Sequence, residues 1–145
     1  MRALFLGLSL LGAAMAARAA GNQPAATFIG HDKVAAALAK GGDLVKAPDL
    51  VVLGAHRNGA GRVEVHDRET DVMYVVEGEA TIVTGGTMTG GKRSAPNQWR
   101  GGEIQGGKAQ RLTKGDVIVI PAGVPHWFKE VPQSISYYVV KVLKQ

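Results

Sequence analysis

The chain has 145 residues, 46% of them hydrophobic and 20% charged, with 20 glycines and 6 prolines. This length suits a single domain, and the balance is that of a folded globular protein rather than a disordered one. There is no cysteine, which excludes a disulfide scaffold, an iron–sulfur or zinc-finger site, a cysteine nucleophile and a lipoprotein anchor; the formal charge of +5 needs its N-terminal share removed before it is interpreted.

Met1-Arg2 is a short positive start, Ala3 to Ala17 is apolar apart from Gly7, Ser9 and Gly12, and Ala17-Arg18-Ala19 is a small-x-small exit. These are the parts of a secretory signal peptide over residues 1–19, and the run is too short to span a bilayer. Cleavage would remove Arg2 and Arg18, so that +5 becomes +3, too little and too scattered for a nucleic-acid footprint. The expectation is a periplasmic or secreted protein with no nucleic-acid partner and no membrane association after cleavage.

Residues 20–48 read as a lead-in with one short helix. Asp32 to Lys40 is alanine-rich and stops at Gly41-Gly42, a helix-ending signal; its small apolar face suits packing on the outside of something larger. From residue 49 to 145 the texture is that of strands. Leu50–Leu53, Arg62–His66, Val72–Val76, Ala80–Val83, Val117–Ile120 and Ile135–Val142 are β-branched runs bounded by Gly, Pro, Asn or Asp. Short runs of this kind at regular spacing predict an all-β antiparallel sandwich or barrel. The glycine-rich stretch between Thr84 and Gln110, with Met88 and Trp99 as its main large apolar residues, predicts a long loop or an extra hairpin beside the barrel mouth. Inside it, Gly86-x4-Gly91-Lys92 imitates a phosphate-binding loop, but Arg93 follows where Ser or Thr is needed and no strand–helix context surrounds it.

Four polar residues carry the chemistry. Glu64 and His66 are two apart on a predicted strand and share a face. Asp71 opens the next strand after a charged turn, and a tight antiparallel return would set it across from His66. His126 follows Pro121-Ala122-Gly123-Val124-Pro125, a turn that swings a new strand inward. Two imidazoles and two carboxylates inside a barrel need compensation, which a divalent cation supplies to all four at once.

At this point the chain resembles the cupins. Their second motif, G-x5-P-x-G-x2-H, is present without a gap from Gly115 to His126. Their first motif, H-x-H followed by three or four residues, E, six residues and G, is matched in spacing by Glu64-Val65-His66, four residues, Asp71, six residues and Gly78. Glu64 stands for the first histidine and Asp71 for the glutamate. The resemblance covers roughly residues 50–142 and implies a small cupin barrel (a double-stranded β-helix or jelly roll). It implies a metal site made of Glu64, His66, Asp71 and His126, where family members hold Fe, Mn, Zn, Ni or Cu. Two histidines with carboxylates favour Fe or Mn, and two His plus one carboxylate is the donor set of non-haem Fe(II) chemistry. If Asp71 binds the metal, Glu64 is free to serve as a general base.

On the same strands, Met73 and Val75 share a face with Asp71 as pocket wall, and Phe128 shares one with His126 while Trp127 points away. Tyr137 and Tyr138 alternate, so only one looks inward; Tyr138 is taken as the candidate acid or base. Arg57 and Arg62 are read as solvated edge charge, with an anionic substrate as the other possibility, and His31 and His56 as surface residues. The expected function is a metal-dependent enzyme on a small organic molecule, dioxygenase-like in preference to lyase or isomerase. The alternative is a non-catalytic small-molecule-binding module; a homodimer is expected in either case.

Overall fold

The structure is a computed structural model that describes residues 25–144; the signal segment, residues 1–19, lies outside the described residues. In chain order it contains helix α1 (His31–Lys40), then β1 (Gly42–Lys46), β2 (Leu50–Arg57), β3 (Glu64–His66), β4 (Glu69–Thr84), β5 (Thr87–Thr89) and β6 (Lys92–Ala95). The chain continues through β7 (Gln98–Arg100), β8 (Glu103–Gln105), β9 (Lys108–Thr113), β10 (Val117–Ile120), β11 (His126–Glu130) and β12 (Ile135–Leu143). The expected all-β antiparallel architecture with one short helix is what the chain adopts.

Two antiparallel sheets face each other. One runs β1-β2-β12-β4-β10 and the other β9-β4-β11-β3-β7-β6; β4 belongs to both. Its first half pairs with β10 and β12, and its second half with β9 and β11. Passage between sheets requires a bend, and Gly78 provides it at φ +80°. A Cβ there would lie 2.0 Å from the Ser134 carbonyl oxygen, so only glycine fits both the dihedral and the space. Val72–Val76 and Ala80–Val83, which read as two strands in the sequence, are therefore one strand that changes sheet at this bend.

Alternation along each strand sends one set of side chains between the sheets. Met73, Val75, Ala80, Ile82, Leu112, Ile120, Phe128, Ile135, Tyr137 and Val139 form the buried core. Ile82 and Ile135 are fully buried, each stabilising the fold by about 1.5–3 kcal/mol through water exclusion. The helix sits outside the first sheet. Ala37, its one buried residue, lies against Gly54 of β2, where a Cβ would come within 2.7 Å of the helix backbone. Asp32 in its first turn and Lys40 in its last complement the helix dipole.

Two local arrangements differ from the sequence expectation. Residues read as lead-in include β1, which pairs with β2 and extends the sheet. The tight return expected between His66 and Asp71 does not make a hairpin pair: β3 is bonded to β7 and β11, while β4 starts in the opposite sheet. The glycine-rich stretch forms the expected accessory hairpin structure, with β6 pairing β7 and β5 pairing β8.

Candidate metal centre

The buried polar groups meet in the space between the sheets. Glu64 and His66 project from β3, Asp71 from the start of β4 and His126 from the start of β11. The β3–β11 register sets His126 beside Glu64. The turn before His126 is tied to the first motif, because the Gly123 amide donates to the His66 carbonyl at 2.8 Å. His66, Asp71 and His126 are buried.

Their free atoms converge. His66 Nε2 lies 3.6 Å from Glu64 Oε2 and 3.5 Å from Asp71 Oδ2, and His126 Nε2 lies 4.0 Å and 3.9 Å from the same two oxygens. Donor atoms around one ion at bond lengths of about 2.0–2.2 Å sit roughly 3–3.5 Å apart, so a small contraction closes Glu64, His66 and His126 on a cation, with Asp71 beside them. The outward nitrogens are already engaged. His126 Nδ1 donates to the Val124 carbonyl at 3.1 Å, and His66 Nδ1 donates to Gln98 Oε1. With Nδ1 carrying the proton, Nε2 in each ring is the lone-pair nitrogen, as metal ligation requires. Burial holds the His126 pKa below the ordinary 6.5, helped by its neighbour His66 and opposed by the Val124 carbonyl, Asp71 and Glu64; the ring is neutral at neutral pH.

The two carboxylates are not equivalent. Asp71 Oδ1 accepts from the Lys141 ammonium at 2.9 Å, and Oδ2 turns to the histidines. Glu64 turns Oε2 to both rings, and the Arg100 guanidinium lies near Oε1, at 3.5 Å. A compact ligand-type group is thus Glu64, His66 and His126, and a second is His66, Glu69 and Asp71. Glu69 and Lys141 were not foreseen. Lys141 is in phase with Tyr137 and Val139 on β12, so strand alternation did carry the signal that it faces inward.

The architecture and the site motifs point to one family, and a family model described as Cupin matches residues 50–142. The chain belongs to the cupin family. Among solved structures it is similar to a Bacillus halodurans protein at 18% identity and TM-score 0.51, over 71% of this chain and 69% of that one. A Klebsiella pneumoniae protein with a double-stranded β-helix domain is similar at 19% identity and TM-score 0.50, over 71% and 70%. Peruvianin-I, a cysteine peptidase from Thevetia peruviana latex, is similar at 18% identity and TM-score 0.45 over 67% of this chain; the present chain spans 52% of its length. No curated protein matches the sequence.

In this cupin the converging groups border a cavity of about 200 Å³ whose walls include Met73, Phe128, Tyr137 and Val139. The tyrosine assignment needs correction. Tyr137, not Tyr138, is the buried one and lines the cavity. Tyr138 shares the outer face of β12 with Ser136, whose hydroxyl bonds to the Leu38 carbonyl of α1, because alternation fixed by buried Ile135, Tyr137 and Val139 turns it out of the barrel. Val75, expected in the wall, is buried in the core instead. Trp127 directs its indole N–H to the Gly61 carbonyl at 2.9 Å and borders the cavity. Arg57 and Arg62 also border it, whereas His31 and His56 are exposed as expected.

Proposed function

We propose that this cupin is a divalent-metal-dependent enzyme acting on a small organic molecule in the barrel cavity. The observation that carries the reading is the pairing of two lone-pair Nε2 atoms with two carboxylate oxygens, while both Nδ1 positions are already bonded. Glu64, His66 and His126 are the ligands and Asp71, shared with Lys141, completes the site. Hard carboxylate donors beside imidazole suit Fe(II) or Mn(II), with Zn, Ni and Cu as the remaining candidates. Two histidines and one carboxylate match the Fe(II) oxygenase donor set, so dioxygenase-type turnover is the first activity to assay, with lyase and isomerase assays beside it.

A bound divalent ion would supply Lewis-acid polarisation of a substrate oxygen. The chain does the rest. Met73, Phe128 and Val139 exclude water from the apolar side, and the Tyr137 hydroxyl is the proton-bearing group at the cavity wall. Burial raises the Tyr137 pKa above 10 against the opposing Arg57 charge, so the hydroxyl donates rather than ionises. With Glu64 used as a ligand, Tyr137 rather than Glu64 is the group placed to hold or deliver a proton.

Reconstitution of the mature protein with Fe(II), Mn(II), Zn(II), Ni(II) or Cu(II) should give close to one ion per chain. His66→Ala and His126→Ala should each lose that ion while remaining folded, and lose turnover with it. Retention below about a tenth of an equivalent, the level of adventitious binding, overturns the metal reading. Metal and ligand binding without turnover assigns a non-catalytic module instead. The same reading includes cleavage after Ala19, a periplasmic or secreted location and a homodimer; mass measurement of the exported chain tests the cleavage.

A further inference from the structure

The cavity walls carry more positive than negative charge. Arg57, Arg62, Arg100 and Lys141 line it with two carboxylates, Glu64 and Asp71, and Glu69 stands behind Lys141, so bases still outnumber acids. Two of these bases are already committed, Lys141 to Asp71 and Glu69, and Arg100 to Glu64. Arg57 has no carboxylate partner among the described residues.

Arg57 is nevertheless held in place. Its Nε donates to the Tyr137 hydroxyl at 2.8 Å, and its guanidinium lies over the Phe128 ring, 4.8 Å from the centroid. Phe128 in turn stacks on Tyr137 at 5.1 Å. Gly61 provides the seat, since a Cβ there would stand 2.9 Å from Arg57 Nη1. That glycine is pinned by its own amide on the Phe128 carbonyl and by the Trp127 indole on its carbonyl. A guanidinium fixed through Nε and one face, with no hydrogen bond from its terminal nitrogens among the described residues, is a preorganised fork for a carboxylate. The Tyr137 oxygen accepts from Arg57, which leaves its proton to give. The cavity of about 200 Å³ is below the roughly 300–1,000 Å³ of drug-sized sites, so the ligand is small.

We propose that the cavity takes a small organic carboxylate, with the acid group clamped by the Arg57 guanidinium and the Tyr137 hydroxyl beside the metal centre. This names the substrate class of the enzyme proposed above and rests on that reading only for what happens to the bound acid. The clamp itself needs no ion.

The test measures binding of lactate and of neutral lactamide by calorimetry, to the Mn(II)-loaded and the metal-free protein. Variants are Arg57→Gln, Arg57→Lys and Tyr137→Phe, with the exposed Lys129→Gln on β11 as the control for general charge loss. Lactate should bind the wild type and Lys129→Gln alike. Arg57→Gln should weaken it by about tenfold or more, and Arg57→Lys by less, as expected for a lost bidentate charged contact, with metal content unchanged and the fold retained by far-UV circular dichroism. Tyr137→Phe should weaken it several-fold. Equal lactate affinity in Arg57→Gln and wild type, in folded proteins of equal metal content, overturns the proposal and leaves the metal reading standing. If the wild type takes up no metal, the metal-free comparison still decides: lactate favoured over lactamide in an Arg57-dependent way upholds the clamp, and no preference removes it.

Discussion

The side chains around His66 close into a ring. His66 Nδ1 bonds to Gln98, the Gln98 amide donates to Glu69 at 2.7 Å, Glu69 accepts from Lys141 at 2.9 Å, Lys141 holds Asp71 at 2.9 Å, and Asp71 returns to His66 Nε2. The carboxylate fixes the Gln98 amide nitrogen on the Glu69 side and therefore its oxygen on the imidazole, so the His66 tautomer is set two residues away from any ligand. Outer partners of this type are worth about 10–100-fold in metal affinity. Gln98→Leu is expected to lose that much in a chelator competition titration while its far-UV circular dichroism is unchanged.

His126 gives a second prediction at this scale. Burial depresses its pKa in the folded protein, so below the ordinary value of 6.5 the unfolded chain binds a proton that the folded chain refuses. Metal-free stability must then fall as the pH drops through that value, with a contribution of at most about 1.4 kcal/mol per pH unit. Urea unfolding of metal-free wild type and His126→Gln from pH 7.5 to 5.5 checks this: the wild type should lose more stability over that interval than the variant.

At the scale of elements, local chemistry made most strands legible and hid the way they are joined. β2, β10 and β12 are runs of β-branched residues with clear turn residues at their ends, and α1 is bounded by Gly41. β4 read as two strands because glycine ordinarily interrupts a strand pattern, whereas Gly78 bends one strand between two sheets. β1 was missed because Gly42-Asp43-Leu44-Val45-Lys46 has little β-branched content and follows directly on a helix stop. The four ligand candidates were legible because their motif spacing carries them. Arg57 was legible as one candidate contact for an anion, but its bond to Tyr137 was not, since that depends on β2 pairing with β12, 80 residues away, and no local signal encodes that register. Gly78 supplies the element-scale prediction. Gly78→Ala puts a Cβ in the left-handed region and against the Ser134 carbonyl, so it should lower unfolding free energy by about 2 kcal/mol or more. Urea midpoints with an unchanged slope check it.

For the whole molecule, the outer face of the first sheet is covered unevenly. α1 shields the β2 side, with Ala37 on Gly54 and Leu38 bonded to Ser136. On the β4–β10 side, Val117 pairs with Tyr74 and Val119 with Val72, and Val117, Val119 and Tyr74 are 60%, 56% and 46% exposed. Tyr138 and Val140 of β12 continue the same rows inward, opposite Tyr74 and Val72. β10 is also the edge of this sheet, with backbone groups open to another strand. An apolar ladder beside an open edge is a liability in a lone barrel, and a second copy of the chain would relieve it: packing the two ladders face to face about a twofold axis would bury both at once. Sedimentation should therefore find a dimer for the wild type at micromolar concentration, and a monomer for Val119→Lys, in which a charge replaces the centre of the ladder. The cavity opens between the sheets and not on this outer face, so the monomeric variant should keep its metal stoichiometry and its lactate affinity. A wild type that sediments as a monomer removes the interface without touching the site.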